Sequence, residues 1–236
     1  MRNAWIVAKR ELYAQFASPI AYGIAAASLL LCGVFFVGGM AQFQDANLQS
    51  LFASLSIVLL LFAPLLTMQL LAREQDQGTI ELLLTAPLRE WEIVLGKFLA
   101  VYLFYLAMIA LTGLYVPILV RYGTPDLGII GAGYLGLALL GAALLALGLF
   151  TSSLTRSQAV AAVLGVGMGL VLWLLEAVSP VLGRSRQLLA SLTPSGHYYR
   201  FLEGVIDTRA LVYLVSFSVL FLFLTVQALE ARRWRG

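Results

Sequence analysis

The residues of this chain that could act as nucleophiles, metal ligands or phosphate-binding groups are few and lie apart. His197 is the single histidine, without acidic or metal-binding neighbours, and we expect it at a surface or interface. Cys32 is the single cysteine, which excludes a disulfide within the chain and a cysteine-based metal site. Gly96-Lys97 is followed by Phe98 and has no glycine five positions earlier, so it is not a phosphate-binding loop. We therefore predict no catalytic residue, no metal and no cofactor in this chain, and expect that it is not an enzyme and cannot hydrolyse ATP.

The composition places these residues in a membrane protein. Hydrophobic residues make up 61% of the 236, charged residues 11%, and the mean hydropathy is +0.92, whereas a soluble domain carries about 25% charged residues. The net charge of +3 does not indicate nucleic acid as a partner, because Lys and Arg lie at the ends of apolar runs and not in one stripe.

The apolar runs predict an all-α fold with six transmembrane helices in one domain covering 1–236. A bilayer core of about 30 Å requires about 20 apolar residues of helix, and the segments that qualify are 20–40, 51–72, 93–120, 127–152, 158–178 and 210–229. The first run is longer than the apolar region of a cleaved signal peptide, about 7 to 15 residues. The loop 179–209 has apolar residues of its own and is expected to form short helices at the outer surface.

Residues 1–17 are expected to form a helix before the first span. Trp5, Leu12 and Phe16 fall on one helical face, and charged residues lie elsewhere around it. This pattern is typical of a helix in the membrane interface. The alternative is a plain extension of the first span.

The largest charged island runs from Arg73 to Lys97, at the junction of the second and third spans, and we call its residues 73–92 the elbow. Gly78 and Thr79 permit a bend, and Pro87 suits the first turn of a new helix. Glu90 and Glu92 would then lie at the positive end of that helix dipole. We predict an ordered, water-exposed elbow fixed at both ends to transmembrane helices.

The distribution of Lys and Arg predicts the orientation. With the N-terminus in the cytoplasm, ten of these residues lie inside and five outside, so both termini and the elbow are expected to be cytoplasmic. The spans carry no ionisable residue near their middles, and Glu176 lies toward the outer end of the fifth. A transporter coupled to protons or ions usually needs such residues, so this class is disfavoured.

A row of small residues marks one face of the fifth span. Ala161, Gly165 and Gly169 follow each other at intervals of four, which favours close helix packing. The row predicts either packing within the chain or a dimer seam between two chains.

Three stretches resemble the ABC-2 type permease family, in particular its compact six-helix branch typified by gliding-motility and nitrous-oxide-maturation permeases. They are KRELYAQFASPIAY, EQDQGTIELLLTAPLREWEIVLGKFLA and LTPSGHYYRFLEGVIDTRALVYLVS. The second is similar to the family's E-x-x-x-GT-x-E-LL-x-T-x-P segment followed by GK. The third is similar to the outer-loop signature before the last span.

The resemblance implies the permease subunit of an ATP-binding cassette transporter in the bacterial inner membrane. Its expected partners are two separate ATPase subunits, which would hold ATP and Mg, a second permease chain, identical or related, and a periplasmic accessory protein. The segment between the second and third spans would be the coupling helix that seats in the ATPase. That role falls on Glu74, Gly78, Thr79, Glu81, Thr85, Pro87 and Arg89.

Two readings of the function stay open at this point. The first is a driven permease that couples ATP hydrolysis to export, extraction or force across the membrane. The second is a scaffold that anchors a periplasmic or respiratory complex without any ATPase. The absence of a charged cavity disfavours a large hydrophilic solute, whereas lipid-linked, peptide-like and mechanical cargo stay open.

Overall fold

The computed structural model describes residues 2–42, 48–79, 89–122, 126–178 and 193–233. Within these ranges the chain forms nine helices and no strand. In chain order they are α1 (Arg2–Ala17), α2 (Pro19–Gln42), α3 (Leu48–Asp76), α4 (Glu90–Thr112), α5 (Tyr115–Tyr122), α6 (Leu127–Leu154), α7 (Gln158–Val178), α8 (Pro194–Leu202) and α9 (Thr208–Arg233).

Six segments of these helices are long and apolar enough to cross a membrane. They are Pro19–Gly38, Phe52–Asp76, Glu90–Ile118, Gly128–Leu154, Gln158–Ala177 and Thr208–Arg232. Each corresponds to one predicted span. The prediction of an all-α, six-span membrane protein is therefore confirmed.

The third span is interrupted between α4 and α5, close to Pro117. Pro117 has no N–H group and cannot donate to the carbonyl of Gly113, four residues earlier. That carbonyl instead accepts a hydrogen bond from Val116 N at 3.1 Å. The tightened turn at 113–114 is thus a consequence of the proline, and α5 continues as a short separate helix.

Helices α3, α4 and α6 form the inner part of the bundle. In the most apolar stretch of each span, 67%, 56% and 61% of the residues are buried in these three helices, against 22%, 22% and 28% in α2, α7 and α9. The outer three helices therefore present most of their surface to their surroundings, which for an apolar helix in a bilayer is lipid.

Helix α6 lies against several neighbours at positions where it has no side chain. A Cβ atom at Gly133, Gly136, Gly141 or Gly148 would come within 3.0 Å of Phe52, Phe201, Tyr105 or Thr67 respectively. At the closest of these, Tyr105 also donates its O–H to Leu137 O at 2.8 Å. Glycines on α6 thus permit close approach by α3, α4 and α8.

The two ends of the bundle are defined by contacts between helix termini. At one end, which we call the elbow face, lie α1, the C-termini of α3, α6 and α9, and the N-termini of α4 and α7. At the opposite face, α8 packs beneath the start of α3, where Tyr198 donates its O–H to Phe52 O at 3.1 Å. Helix α8 lies in the loop for which short helices were predicted, and its Tyr198, Phe201 and Leu202 are buried.

Candidate functional site: the elbow face

The first arm of the elbow is the last turn of α3 and the bend that follows it. Gly78 has φ +68, the left-handed conformation that ends many helices and that glycine adopts without strain. Thr79 donates its hydroxyl to the carbonyl of Glu74 at 3.3 Å, which closes the turn. Gly78 and Thr79 are exposed, so the bend faces outward. The structure therefore has the bend at the position that the sequence predicts.

The second arm of the elbow enters α4 at Arg89. The backbone N–H of Arg89 donates to Oε2 of Glu92 at 3.2 Å, and Glu92 N donates back to the Arg89 carbonyl at 2.9 Å. Glu90 and Glu92 lie in the first turn, where negative charge suits the helix dipole. The predicted coupling residues Glu81, Thr85 and Pro87 lie outside the described residues.

A buried ion cluster joins the two arms. Lys97 donates from Nζ to Oε1 of Glu74 at 2.8 Å and to Oε1 of Glu11 at 3.1 Å. The lysine is 1% exposed, and the two glutamate side chains are 15% and 14% exposed. We call Glu11, Glu74 and Lys97 the Lys97 cluster. It connects α1, the end of α3 and the start of α4 at a single ammonium group.

The position of Lys97 corrects the sequence analysis, which counted this residue in the water-exposed island. Burying an unpaired ammonium costs several kcal/mol, and here two carboxylates offset that cost. The second oxygen of Glu74, Oε2, is also buried and has no hydrogen-bond donor among the residues that the structure describes. The cluster therefore holds one cation away from water, between two carboxylates that are mostly buried.

Three contacts show that helix α1 packs along α4, because their positions follow the same order in both helices. Asn3 donates to Glu92 Oε2 at 3.3 Å, and Glu11 meets Lys97 farther along both helices. Phe16 and Phe104 are in edge contact with ring centroids 5.1 Å apart. Helix α1 thus runs beside α4 in the same direction.

Gly96 makes this approach of α1 to α4 possible. A Cβ atom there would lie 2.7 Å from Val7 Cβ and 2.8 Å from the carbonyl oxygen of Ala4. The adjacent Lys97 reaches the same helix at Glu11. The Gly-Lys pair at the end of the family-like stretch therefore has a structural role, in which the glycine admits α1 and the lysine fixes it.

A second joint connects the last turns of α3 to the end of α6. Ser152 Oγ accepts hydrogen bonds from Leu71 N at 3.2 Å and Ala72 N at 3.0 Å, and donates to Met68 O at 3.0 Å. Gln75 donates from Nε2 to the carbonyls of Ser152 at 3.4 Å and Ser153 at 3.0 Å. All of these contacts are between residues about 80 positions apart in the sequence. We call Ser152 and Gln75 the α3–α6 joint.

The end of α6 is also held by α9. Arg232 donates from Nη2 to the carbonyl of Leu154, the last residue of α6, at 3.0 Å. A cation at this place suits the negative end of the helix dipole. The final carbonyls of α6 are thus bound by side chains of α3 and α9.

The small-residue row of the fifth span lies against α3 of the same chain. A Cβ atom at Gly165 would lie 2.7 Å from Pro64 Cβ, and one at Gly169 would lie 3.4 Å from Leu60 Cγ. Ala161, at the start of the row, is 1% exposed. The side of α7 that carries the row is therefore occupied by α3.

The third family-like stretch forms a compact turn at the opposite face. Gly204 has φ +77, and Asp207 accepts a hydrogen bond from Arg209 N at 2.9 Å at the start of α9. The Asp207 carboxylate also accepts from the guanidinium of Arg200. The backbone N–H of Arg209, and then this guanidinium, hold the pKa of Asp207 below its ordinary value. His197 stacks on Tyr213 with ring centroids 4.0 Å apart.

A cavity of about 50 Å³ lies in the described part of the spans, between α2, α3, α4 and α6, and its lining is almost entirely apolar. The hydroxyl groups of Ser28 and Thr112, both in that lining, donate to carbonyls of their own helices. Among the described residues no group of three or more His, Cys, Asp or Glu could hold a metal ion.

The predicted bend at Gly78 is present, but α4 begins at Glu90 with Arg89 as its N-cap, and not with Pro87 in its first turn as predicted. The Lys97 cluster and the α3–α6 joint were not predicted. A signal for Lys97 was present, because it stands one turn inside an apolar run, where a lysine needs a counter-charge. No comparable signal marked Ser152, since Thr151 and Ser153 are adjacent and equally buried.

The chain matches a known family. A family model described as "ABC-2 family transporter protein" matches residues 13–229, which is nearly the whole chain. A search of curated proteins returned no match.

Proposed function

This chain belongs to the ABC-2 family of transporter proteins, and from that premise we propose that it is the permease subunit of an ABC transporter, driven by a separate ATP-hydrolysing subunit. Two such ATPase subunits, which bind ATP and Mg, would act on a pair of permease chains, identical or related. The chain itself is a multi-pass membrane protein. Both of its termini and its elbow would lie in the cytoplasm, with the protein in the bacterial inner membrane.

The observation that carries this proposal is the Lys97 cluster. Glu74 lies just before the bend of the elbow and Lys97 just after its second arm, and a 2.8 Å ion pair joins them. A displacement of the elbow cannot separate the end of α3 from the start of α4 without breaking this buried ion pair. The elbow, α1 and the adjoining ends of α3 and α4 would therefore move as one body, which is what an external motor needs.

The predicted coupling residues would divide their work between contact and support. Gly78, Thr79 and Arg89 are exposed at the two ends of the elbow and would contact the ATPase, together with Glu81, Thr85 and Pro87. Glu74 faces Lys97 instead, so its role would be to hold the base of the elbow.

The apolar spans favour certain kinds of work over others. A hydrophilic solute would find few polar groups in the described part of the bundle, so lipid-linked or peptide-like cargo, extraction of a membrane-bound partner, or force transmission suits the spans better. The three family-like stretches favour the compact six-helix branch, with a periplasmic accessory protein as a further partner.

Co-purification with the ATPase tests the proposal. We expect the wild-type chain to bring down an ABC ATPase, and expect Glu81→Lys and Gly78→Pro to weaken this association or uncouple hydrolysis. Proline fixes φ near −65°, so it cannot adopt the φ of +68 at Gly78. The ATPase rate and the amount of bound subunit would be measured in nanodiscs.

Arg121→Glu is the matched control, because it reverses a charge on an exposed residue of α5 at the opposite face. It should leave ATPase binding unchanged. Recovery of the working protein without any ATPase, with all three variants alike, would refute the driven permease and leave the scaffold.

A further inference from the structure

The hydroxyl of Ser152 occupies a special place in α3, a helix to which it does not belong. In a regular helix Ala72 N–H would donate to the carbonyl of Met68. Ser152 Oγ bonds both members of that pair, at 3.0 Å each, and also accepts from Leu71 N. A side chain of α6 is thus inserted beside the hydrogen-bond ladder of α3, one turn before the elbow. Such insertions are a known cause of local bending in helices.

The two neighbours of Ser152 show that burial of a hydroxyl is not by itself the cause. Thr151 donates to Gly148 O and Ser153 donates to Phe150 O, both within α6. All three residues are fully buried. Of this run, only Ser152 bonds to another helix through its side chain.

Gln75 adds a second link on the same side of α3. Its Nε2 donates to two carbonyls at the end of α6, and its Oε1 is buried with no donor among the described residues. The preceding residue, Glu74, accepts a hydrogen bond from Lys97 of α4 instead. The last turn of α3 is therefore held by polar contacts from α4 through Glu74 and from α6 through Gln75.

We propose that Ser152 and Gln75 are positioning residues that pass displacement of the elbow from α3 into α6. This inference rests on the proposed function, since it assigns a route to the movement that the ATPase would impose. Polar links between helices matter here because apolar faces in lipid gain little from contact with each other. Movement of α6 would also reach α7, which begins four residues after α6 ends, at Gln158.

The joint can be removed without leaving backbone groups of α3 unpaired. In Ser152→Ala, Ala72 N–H can donate to Met68 O as in a regular helix. Ser152→Ala should therefore fold.

The test uses distances between spin labels placed on the two sides of the joint. Cys32 is the only cysteine, so a Cys32→Ala chain can carry labels at Asp76 and Leu154, both exposed at the elbow face. Distances would be measured for the permease alone and for its complex with the ATPase, with and without a trapped nucleotide.

The double variant Ser152→Ala/Gln75→Ala removes the joint, and Ser153→Ala/Gln77→Ala is its matched control. Ser153 bonds within α6, and the Gln77 side chain is exposed. In the wild type and the control we expect one narrow distance that the nucleotide does not change. In the double variant we expect a shift of more than about 2 Å, the scale of a helix displacement, with unchanged ATPase binding.

Each outcome separates the joint from the proposed function. A nucleotide-dependent change in the wild type as large as in the double variant would overturn the inference, as would a double variant that behaves like its control. If no ATPase binds the wild type, the proposed function and the route through the joint both fail. The permease alone still tests the joint itself, because its distance distribution should broaden in the double variant and not in the control.

Discussion

Neutralising Lys97 is the most direct perturbation of the elbow face. Lys97→Met keeps most of the length of the side chain and removes its charge. Glu74 and Glu11 then remain close together without the cation that both bind at about 3 Å. The two carboxylates then repel each other and lose a strong hydrogen bond each. Glu11 keeps only the exposed guanidinium of Arg10, at 3.8 Å, and Glu74 keeps no cation among the described residues.

The expected loss can be worked from the burial of the three groups. Breaking a buried ion pair by removing one partner costs about 3–5 kcal/mol. The glutamate side chains are 14% and 15% exposed, so water can reach them in part. We therefore expect a loss of about 3 kcal/mol in the free energy of unfolding, the lower end of that range. At about 2–4 °C per kcal/mol for a chain of this size, the melting temperature should fall by about 6–12 °C.

The single cysteine provides the assay. Cys32 is buried at 5% exposure, so a thiol-reactive fluorophore reports its release when the detergent-solubilised protein is heated. Lys9→Met is the matched control, because Lys9 is exposed on α1. Its melting temperature should differ from the wild type by about 2 °C or less, since surface substitutions in general change stability by about 0.5 kcal/mol or less.

A triple variant distinguishes lost charge pairing from lost packing. When Lys97→Met is combined with Glu11→Met and Glu74→Met, no buried charge of the cluster remains, and replacement of a buried ion pair by apolar side chains of similar volume is often well tolerated. The triple variant should therefore recover most of the stability lost by Lys97→Met. A Lys97→Met protein as stable as Lys9→Met, or a triple variant less stable than the single one, would refute the role given to the cluster.

Three further predictions concern the rest of the bundle. Gly165→Leu should lower the melting temperature strongly, because its side chain would clash with α3. Gly167→Leu should not, because nothing lies within 4 Å of its Cβ position. Equal effects of the two variants would contradict the packing of α7 on α3. Asp207→Asn should lower the stability of the protein at neutral pH. The difference from the wild type should vanish as the pH falls below the ordinary Asp pKa of 3.8 and through the lowered pKa of the folded state, because a depressed pKa stabilises the fold only while the carboxylate is charged. A difference that persists at lower pH would point to packing instead. In cells, a cysteine at Arg156 should react with a membrane-impermeant reagent only from the cytoplasmic side and one at His197 only from outside, and the reverse result would invert the proposed orientation.

Much of the fold follows from local patterns in the sequence. The six spans are predicted because apolar runs of about 20 residues have few other stable arrangements in a membrane. The bend at Gly78 and the start of α4 near Glu90 follow from the short-range preferences of glycine and of acids near a helix N-terminus. The break in the third span before Pro117 also has a local cause, and the hydrogen bond from Val116 N to Gly113 O shows its place.

The tertiary structure decided which polar groups share the interior of the elbow face. Lys97 pairs with residues 86 and 23 positions away, and Ser152 with backbone groups of α3 about 80 positions away. Pattern and spacing cannot select Ser152 over its two buried hydroxyl neighbours, because the choice depends on the rotation of α6 about its axis and its distance from α3. The sequence by itself therefore determined how many times the chain can cross a membrane and where its elbow bends, since both depend on neighbours in the chain. Packing decided which helices are joined at that elbow, because a buried charge or hydroxyl takes its partner from whatever helix lies within about 3 Å.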